Sequence, residues 1–329
     1  MKKILGIALL LTGLVVAICA LQIASTGRVI FFDFGNISNL AQRIGILGIY
    51  AIGAGIVILS GGIDLSIGSV IGFTGVVMAM AVAQWGLSPW VVSIGVLFFC
   101  VLLGLWHGFL VGRFNLQPFI ATLCSLLLLR GLARGISGGA SQSVPNFAFL
   151  GNGSFLYIPV PFWLLIGIAL IVSFFMNFTV YGRYLYAIGR NVEAVRYSGI
   201  KVDHMRTAAY VTCSVLAGIA GIVSVSYTGE VQPANAGLMF EMWAIAAAVL
   251  GGCSLRGGEG SVLGIIIGAA LIKVMYNGIN LLGINTEWEW AVIGVVILGG
   301  VIADATVKQR AAKRAAKYAV KQLSVASDQ

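Results

Sequence analysis

A small set of polar side chains interrupts the long apolar stretches of this sequence. Amides, hydroxyls and charges at membrane depth are unfavourable unless they face a cavity or a neighbouring helix. Amide and hydroxyl groups suit a neutral, hydroxyl-rich solute, whereas a fixed anion would favour clustered arginines. The candidates for lining a translocation path are Asn39, Gln42, Gln117, Thr122, Glu241, Asn277 and Asn280, with Ser125 and Lys273 beside them. For each of them, hydrogen bonding between helices is an equally good interpretation.

The sequence offers no set of residues for catalysis or for holding a metal ion. His107 and His204 lie at the ends of different apolar stretches, and no cluster of carboxylates occurs. The five cysteines lie in or beside apolar stretches without a CxxC spacing, which is typical of small buried side chains. The turn Gly257-Gly258-Glu259-Gly260 lacks the Lys-Ser/Thr that follows in a phosphate-binding loop. We therefore predict no catalytic residue, no metal, no cofactor and no ATP hydrolysis by this chain.

The composition is that of a membrane protein. Of the 329 residues, 59% are hydrophobic and 9% are charged, whereas soluble domains carry about 25% charged residues. A membrane-spanning helix needs about 20 mostly apolar residues. Ten stretches qualify, near residues 4–24, 40–59, 66–84, 90–111, 116–136, 158–178, 206–226, 238–253, 261–281 and 287–304. We predict an all-α, polytopic bundle of about ten transmembrane helices that forms one domain over residues 1–329.

The basic residues predict how this bundle is oriented. An even number of spans, ten, puts both termini on the same side of the membrane. If that side is the cytoplasm, the only basic residues near the outer face are Arg28, Arg43, Arg130 and Arg134. Both termini are therefore expected in the cytoplasm, by the positive-inside rule. The net charge of +9 includes a basic tail over about 305–329, which indicates contact with the lipid bilayer rather than with nucleic acid. The first apolar stretch is too long for a signal peptide and is interpreted as an uncleaved helix.

The longest connection on the predicted cytoplasmic side runs over about 181–206 and is too polar to span a membrane. It is expected to contain a short surface helix. Asn191 is expected to cap the start of this helix, and Glu193 places a negative charge near the positive end of the helix dipole. Gly199 is expected to end the helix. The apolar side of this helix is expected to consist of Ala194, Val195 and Tyr197. A helix that exposes apolar residues to the cytoplasm needs a partner surface.

Two glycine-rich turns are the other distinctive segments. In the first, Asp64 is predicted to cap the following helix at Leu65–Ser66 rather than to hold an ion or a proton, since no opposite charge is near it in sequence. The second turn resembles the first when Gly61 is aligned with Gly251. An internal repeat would bracket a substrate path, but chance similarity between glycine-rich segments is the favoured explanation.

Several segments, in order, resemble one family of transport proteins. The stretch AIGRNVEAVRYSGI, Ala187 to Ile200, is similar to the coupling-helix region of the ribose/arabinose-type permease subunits of bacterial ABC importers. GGIDLSIGSVIG, Gly61 to Gly72, and AIAAAVLGGCSLRGGEGSVLG, Ala244 to Gly264, resemble two further segments of those permeases. YNGINLLG, Tyr276 to Gly283, is similar to a string common in ribose-type members. The resemblance extends over about residues 40–304.

This resemblance implies the membrane-spanning permease subunit of an ATP-driven importer in the bacterial inner (plasma) membrane. The solute would be a sugar, such as a ribose-like pentose, a hexose or a related polyol. The implied partners are a cytoplasmic ATP-binding subunit, a periplasmic sugar-binding protein and a second permease copy, identical or different. The residues that the resemblance assigns to ATPase coupling are Gly189, Asn191, Glu193, Ala194, Ser198 and Gly199.

Three other functions were compared with this one. An ion-coupled secondary sugar transporter needs ionisable relay residues at the midplane, for which Glu241 and Lys273 are the plausible candidates. A membrane-embedded enzyme needs clustered carboxylates or histidines, which the sequence lacks. An ABC permease for nucleosides stays open, because similar permeases carry them and the sequence does not specify the solute.

Overall fold

The structure, a computed structural model, describes residues 2–144, 147–288, 290–291, 293–295 and 298. Its helices are α1 Lys2–Thr26, α2 Phe34–Leu59, α3 Ile67–Ala83, α4 Pro89–Gly112, α5 Pro118–Ser137, α6 Phe149–Asn152, α7 Val160–Phe178, α8 Val180–Arg190, α9 Val192–Tyr197, α10 Val202–Thr228, α11 Phe240–Leu250 and α12 Val262–Leu281. Four two-residue strands accompany them: β1 Gln142–Ser143, β2 Ser154–Phe155, β3 Ile158–Pro159 and β4 Glu230–Val231. A 3₁₀ turn over Thr286–Trp288 follows α12. The predicted all-α class is confirmed.

Nine of the ten predicted spans contain one of these helices. Seven of these helices, α1, α2, α4, α5, α7, α10 and α12, are long and apolar enough to cross a membrane. The other two, α3 and α11, have only 17 and 11 residues. The predicted span 66–84 matches α3 to within one residue at each end, whereas 238–253 is too long for α11, which begins after the positive-φ residue Met239 and ends before the turn at Gly251. The predicted span 287–304 lies mostly, and the tail 305–329 entirely, outside the described residues.

The helices run between two ends of the bundle. One end, here called the α9 end, carries α8, α9, the turn over 60–66 and the loop over 251–261. The other, the hairpin end, carries two small antiparallel pairings, β1 with β4 and β2 with β3. The first residues of α1 lie at the α9 end, where the Ile7 side chain is 3.6 Å from a Cβ built on Gly252. Residues 2–281 thus cross between the ends nine times.

Helix α2 is the centre of the bundle and is buried along most of its length. Its glycines lie on several sides and let three neighbours approach closely, as small residues do in membrane bundles. A Cβ on Gly48 would lie 2.7 Å from Leu165 of α7, and one on Gly53 would lie 3.1 Å from the Cα of Cys213 in α10. A Cβ on Gly55 would lie 2.3 Å from Ile265 of α12.

The connection predicted over 181–206 is more ordered than expected. Helix α8 follows α7 after a break at Thr179, whose φ of −108° and ψ of 164° are extended. Gly182 makes this bend possible, because a Cβ there would lie 2.0 Å from the Met176 carbonyl oxygen. The buried residues Gly182, Leu185 and Ile188 share one face of α8. A second amphipathic helix therefore precedes the short predicted one.

Candidate docking segment and membrane-depth polar groups

Helix α9 is capped at both ends by its own sequence. The Asn191 side-chain oxygen accepts a hydrogen bond of 3.0 Å from the Ala194 N–H, in the manner of an N-cap. Glu193 and Arg196 lie 3.5 Å apart, each at the helix end whose dipole it complements. Gly199 turns the chain with a φ of +78°, a conformation suited to glycine. The predicted cap and stop are present, whereas their role in coupling stays a prediction.

The side chains of α9 divide between a buried and an exposed side. Val195 is buried against Ile188 of α8 and Val202 of α10, whereas Tyr197 is 89% exposed. The expected single apolar side of Ala194, Val195 and Tyr197 is therefore wrong. Residues one or two apart on a helix point in different directions. The exposed surface of α9 consists of an aromatic ring beside an ion pair.

Gly189, near the end of α8, is in backbone contact with two other segments of the α9 end. A Cβ there would lie 2.1 Å from the Leu59 carbonyl oxygen and 2.2 Å from the Gly258 nitrogen. That nitrogen donates a hydrogen bond of 2.9 Å to the same Leu59 oxygen. A Cβ on Gly257 would lie 2.9 Å from the Cα atoms of both Gly189 and Gly61. We call this contact between α8, the end of α2 and the loop 251–261 the glycine junction; it comprises Gly61, Gly189, Gly257 and Gly258.

Tyr186 adds a side-chain link between α8 and the same loop. Its hydroxyl donates a hydrogen bond of 3.0 Å to the Gly260 carbonyl oxygen. Burial, and to a lesser extent the nearby Cys253, raise the pKa of this hydroxyl above its usual range. The group therefore stays protonated and able to donate. This bond therefore fastens α8 to the loop in addition to the packing at the glycine junction.

The turns that follow α2 and α11 end their helices in the same way. The N–H groups of Gly61 and Gly62 donate to carbonyls three and five residues earlier, and those of Gly252 and Cys253 do the same. This is the pattern of a Schellman motif, with φ values of +79° at Gly61 and +91° at Gly252. In the structure, Gly61 is therefore equivalent to Gly252. The sequence alignment pairs Gly61 with Gly251, one residue earlier.

Asp64 lies buried in the turn before α3, beside polar groups of other helices. Its Oδ1 accepts hydrogen bonds from the Ser66 N–H at 2.8 Å and the Ser66 hydroxyl at 2.6 Å. Asp64 thus orders the turn, while Ser66 holds the N-cap position of α3. Asp64 also interacts electrostatically with His107 of α4 and Tyr210 of α10. The prediction for Asp64 considered only opposite charges nearby along the chain, and the structure adds a histidine and a tyrosine from other helices.

Helix α5 holds the same polar cluster from another side. The Thr122 hydroxyl oxygen accepts a hydrogen bond of 3.1 Å from the Leu65 N–H. Ser125, one turn later, has its hydroxyl 2.8 Å from His107 Nε2. Thr122 and Ser125, both candidates for a path, therefore fasten α5 to the turn before α3 and to α4.

Gln42 and Asn277 also connect separate segments. The Gln42 amide donates to the Gly151 carbonyl oxygen and, at 3.2 Å, to Asn152 Oδ1, which ties α6 to α2. Asn277 of α12 and Asn36 of α2 exchange two hydrogen bonds, of 3.1 and 2.6 Å, between their side-chain amides. Both residues therefore form hydrogen bonds between packed segments, which is the alternative to lining a translocation path.

The remaining candidates are in two different environments. Asn39, Gln117 and Asn280 are exposed on this chain, and polar groups on the outside of a membrane bundle face water, headgroups or another chain. Glu241, at the start of α11, is 4% exposed and interacts electrostatically with Arg130 of α5. The seven predicted path residues thus do not meet at one place within this chain.

The sequence interpretation missed a group of aromatic rings around the start of α11. The Tyr50 and Phe240 rings are stacked at 5.4 Å with an angle of 9° between them. The Trp243 and Tyr276 rings meet edge to face at 5.3 Å. Aromatic residues are too frequent in apolar stretches to stand out alone. The usable signal was the interruption of the apolar pattern just before them, where Pro233 and other turn-forming residues occur.

Comparisons with known proteins agree with this architecture. The profile of the family described as branched-chain amino acid transport system / permease component matches residues 36–301. The ribose import permease protein RbsC of Escherichia coli (strain K12) is 37% identical over 89% of this chain and 92% of its own length. The xylose transport system permease protein XylH of Haemophilus influenzae is 30% identical over 93% of this chain and 98% of its own.

A third relative is the galactofuranose transporter permease protein YtfT of Escherichia coli (strain K12). It is 35% identical over 80% of this chain and 78% of its own length. No solved structure matches the chain. The matched region includes the glycine junction, α9 and the short helices α3 and α11. The chain is therefore a multi-pass membrane protein that belongs to this family of transport-system permease components.

Proposed function

We propose that the chain is the membrane-spanning permease subunit of an ATP-driven sugar importer in the bacterial inner membrane. The observation that carries this proposal is the glycine junction, which connects the exposed α9 to the turns beside α3 and α12. The solute follows from the relatives, whose names specify ribose, xylose and galactofuranose transport. All three are five- or six-carbon sugars.

In this proposal the α9 end faces the cytoplasm and binds the ATP-binding subunit. The asymmetry of basic residues in the sequence supports that orientation. The six predicted coupling residues then have three tasks. Asn191 and Ser198 shape α9, and Gly189 lies in the glycine junction. The surface offered to the partner consists of Glu193, Ala194 and Gly199, with Tyr197 added by the structure.

The proposed mechanism is mechanical rather than chemical on this chain. ATP binding closes the partner subunits and displaces α8 and α9. Backbone contact at the glycine junction then moves the turn over 60–66 and the loop over 251–261, from which α3 and α12 begin. Populations of inward-open and outward-open states shift because the partner contacts them differently. Hydrolysis takes place on the ATP-binding subunit.

The opposite face completes the proposed transporter. The hairpin end would lie in the periplasm and receive sugar from a sugar-binding protein. A second permease copy, identical or different, would supply the other half of the path. The exposed amides of Asn39, Gln117 and Asn280 support this assignment, because amides on the outside of a single bundle need polar surroundings.

Uptake into proteoliposomes tests this function. The permease would be reconstituted with the ATP-binding subunit and the sugar-binding protein encoded beside it, and uptake of radiolabelled D-ribose, D-xylose and D-galactose measured. We expect uptake of at least one sugar that requires ATP and the ATP-binding subunit and persists with an uncoupler. Uptake that continues without the ATP-binding subunit, or that an uncoupler abolishes, would contradict the proposal. Uptake of nucleosides in place of sugars would contradict the proposed solute.

A further inference from the structure

The starts of α3 and α11 touch each other well inside the bundle. A Cβ on Gly237, just before α11, would lie 1.9 Å from the Gly68 carbonyl oxygen in the first turn of α3. A Cβ on Gly72 would likewise lie 2.6 Å from the Ala236 carbonyl oxygen. These two approaches bring the irregular backbone segment before α11 against the first two turns of α3.

The depth of this contact follows from α5. Arg130 lies about 18 Å along α5, a helix of about 30 Å, from its first residue. Its guanidinium donates a hydrogen bond of 3.5 Å to the Gly237 carbonyl oxygen. The contact between the α3 and α11 starts is therefore near the middle of the membrane. Irregular backbone at that depth is tolerated where it is enclosed by protein or lines a polar path.

The Glu241 carboxylate lies at this contact. It is 4% exposed, and its Oε2 has no hydrogen-bond partner among the residues that the structure describes. A Cβ on Gly68 would lie 2.1 Å from that oxygen, so the carboxylate rests directly on the first turn of α3. Arg130 supplies an opposite charge nearby. A buried carboxylate oxygen without a donor is unfavourable and marks a place where a donor is to arrive.

One aromatic ring is near this carboxylate, since Tyr50 of α2 interacts electrostatically with Glu241. Phe240, next to Glu241, stacks on Tyr50, and Trp243, half a turn later, packs against Tyr276. Aromatic faces and a few placed polar groups are the usual lining of small-molecule sites. A carboxylate can only accept hydrogen bonds when ionised, and a sugar has hydroxyl donors around apolar C–H faces.

We propose that Glu241 accepts a hydrogen bond from a hydroxyl of the sugar as it passes between the starts of α3 and α11. The proposal rests on the proposed function, since it takes a sugar as the solute. In the conformation described here the Gly68–Gly237 contact closes this route. Separation of the two helix starts gives Oε2 its donor, and Tyr50 offers an aromatic ring to the C–H groups of the sugar.

The test combines Glu241→Gln with removal of single hydroxyls from the sugar. Uptake of D-ribose and of those singly deoxygenated analogues that the wild type transports would be measured in the complete, reconstituted transporter. Hydrogen bonds to charged groups predict a fall in D-ribose uptake of about tenfold to a hundredfold. One analogue, which lacks the contacted hydroxyl, should be taken up at similar rates by variant and wild type. ATP hydrolysis should continue in the variant.

Three comparisons separate this role from a structural one. Gly167→Ala, in the middle of α7 where a Cβ would meet nothing within 4 Å, should leave uptake unchanged. If Glu241→Gln lowers uptake of every sugar by the same factor, and Arg130→Gln does so too, the carboxylate is a structural ion-pair partner and the proposal is wrong. It is equally wrong if Glu241→Gln changes no uptake rate.

Two further outcomes are interpretable. If the Glu241→Gln transporter does not assemble, Glu241→Asp serves as the test variant. This substitution keeps the charge but moves the carboxylate back by one methylene. The ratio of the uptake rates of D-ribose and its analogues must then change. An unchanged ratio would overturn the proposal. If the wild type transports none of the sugars, the proposed function itself fails; if it does transport them, the result concerns Glu241 alone.

Discussion

The Asn36–Asn277 pair is the clearest case of a polar side chain at membrane depth that joins helices. Each amide both donates to and accepts from the other, at 3.1 and 2.6 Å. Reciprocal bonds of this kind leave neither amide dependent on a solute or on water. Asn277 was a candidate for the path on its residue type alone, and the pairing favours a structural role.

A double-mutant cycle on this pair tests that role. We expect Asn36→Ala and Asn277→Ala each to destabilise the protein by about 1 kcal/mol. The double variant should be little worse than Asn36→Ala, because that change alone removes both bonds of the pair, together with the bond of 2.8 Å from the Asn36 amide to the Phe31 carbonyl oxygen. Melting temperature in detergent measures the effect. Asn177→Ala is the control, since Asn177 bonds only within its own helix, to the Ser173 carbonyl oxygen. Additive losses would mean that the two amides act independently.

At the residue scale, contacts between residues close in sequence were predictable, whereas contacts between distant residues were not. Asn191 caps α9 as expected, because its partner N–H is three residues away. The hydrogen-bond partners of Gln42 and Asn277 lie far along the chain, that of Asn277 being 241 residues away. Such contacts depend on how helices pack, which residue types alone do not specify.

At the element scale, α9 is the segment that the proposed partner would contact. It is only six residues long, so its position depends on the burial of Val195 against α8 and α10. Tyr197 extends away from this support. Exposed aromatic residues of this kind often carry much of the binding energy at interfaces.

Replacement of Tyr197 by alanine should weaken binding of the ATP-binding subunit. We expect the dissociation constant, measured with the purified proteins in nanodiscs, to rise at least about tenfold. Tyr157→Ala is a matched control, because Tyr157 is 83% exposed, close to the 89% of Tyr197, but lies at the hairpin end. Equal effects of the two substitutions, or no effect of either, would show that α9 is not the docking element.

Helix existence was predictable for this chain and helix length was less so. Composition and apolar stretches identified every described span, because a bilayer demands about 20 apolar residues from each crossing helix. They placed α3 to within one residue at each end but overestimated α11, because Met239 has a positive φ before its start and a turn at Gly251–Gly252 follows its end. They also missed α8, whose buried residues alternate with polar ones. Hydropathy averages over a window and therefore does not register such interruptions.

At the scale of the whole molecule, the bundle joins a surface helix at one end to a buried carboxylate near its middle. The glycine junction passes from α8 to the turn over 60–66. That turn is held by Thr122 of α5 and leads directly into α3, whose first turn contacts Glu241. The connection consists of close backbone contacts, which side chains larger than glycine would separate.

The coupling ratio, sugar molecules imported per ATP hydrolysed, tests this account most directly. It would be measured in reconstituted transporters that carry Gly189→Ala or the control Gly167→Ala. A Cβ on Gly189 meets backbone atoms at 2.1 and 2.2 Å, whereas one on Gly167 meets nothing within 4 Å. We predict that Gly189→Ala hydrolyses ATP but imports several-fold less sugar per ATP, and that Gly167→Ala matches the wild type. A wild-type coupling ratio in an assembled Gly189→Ala transporter would contradict the account.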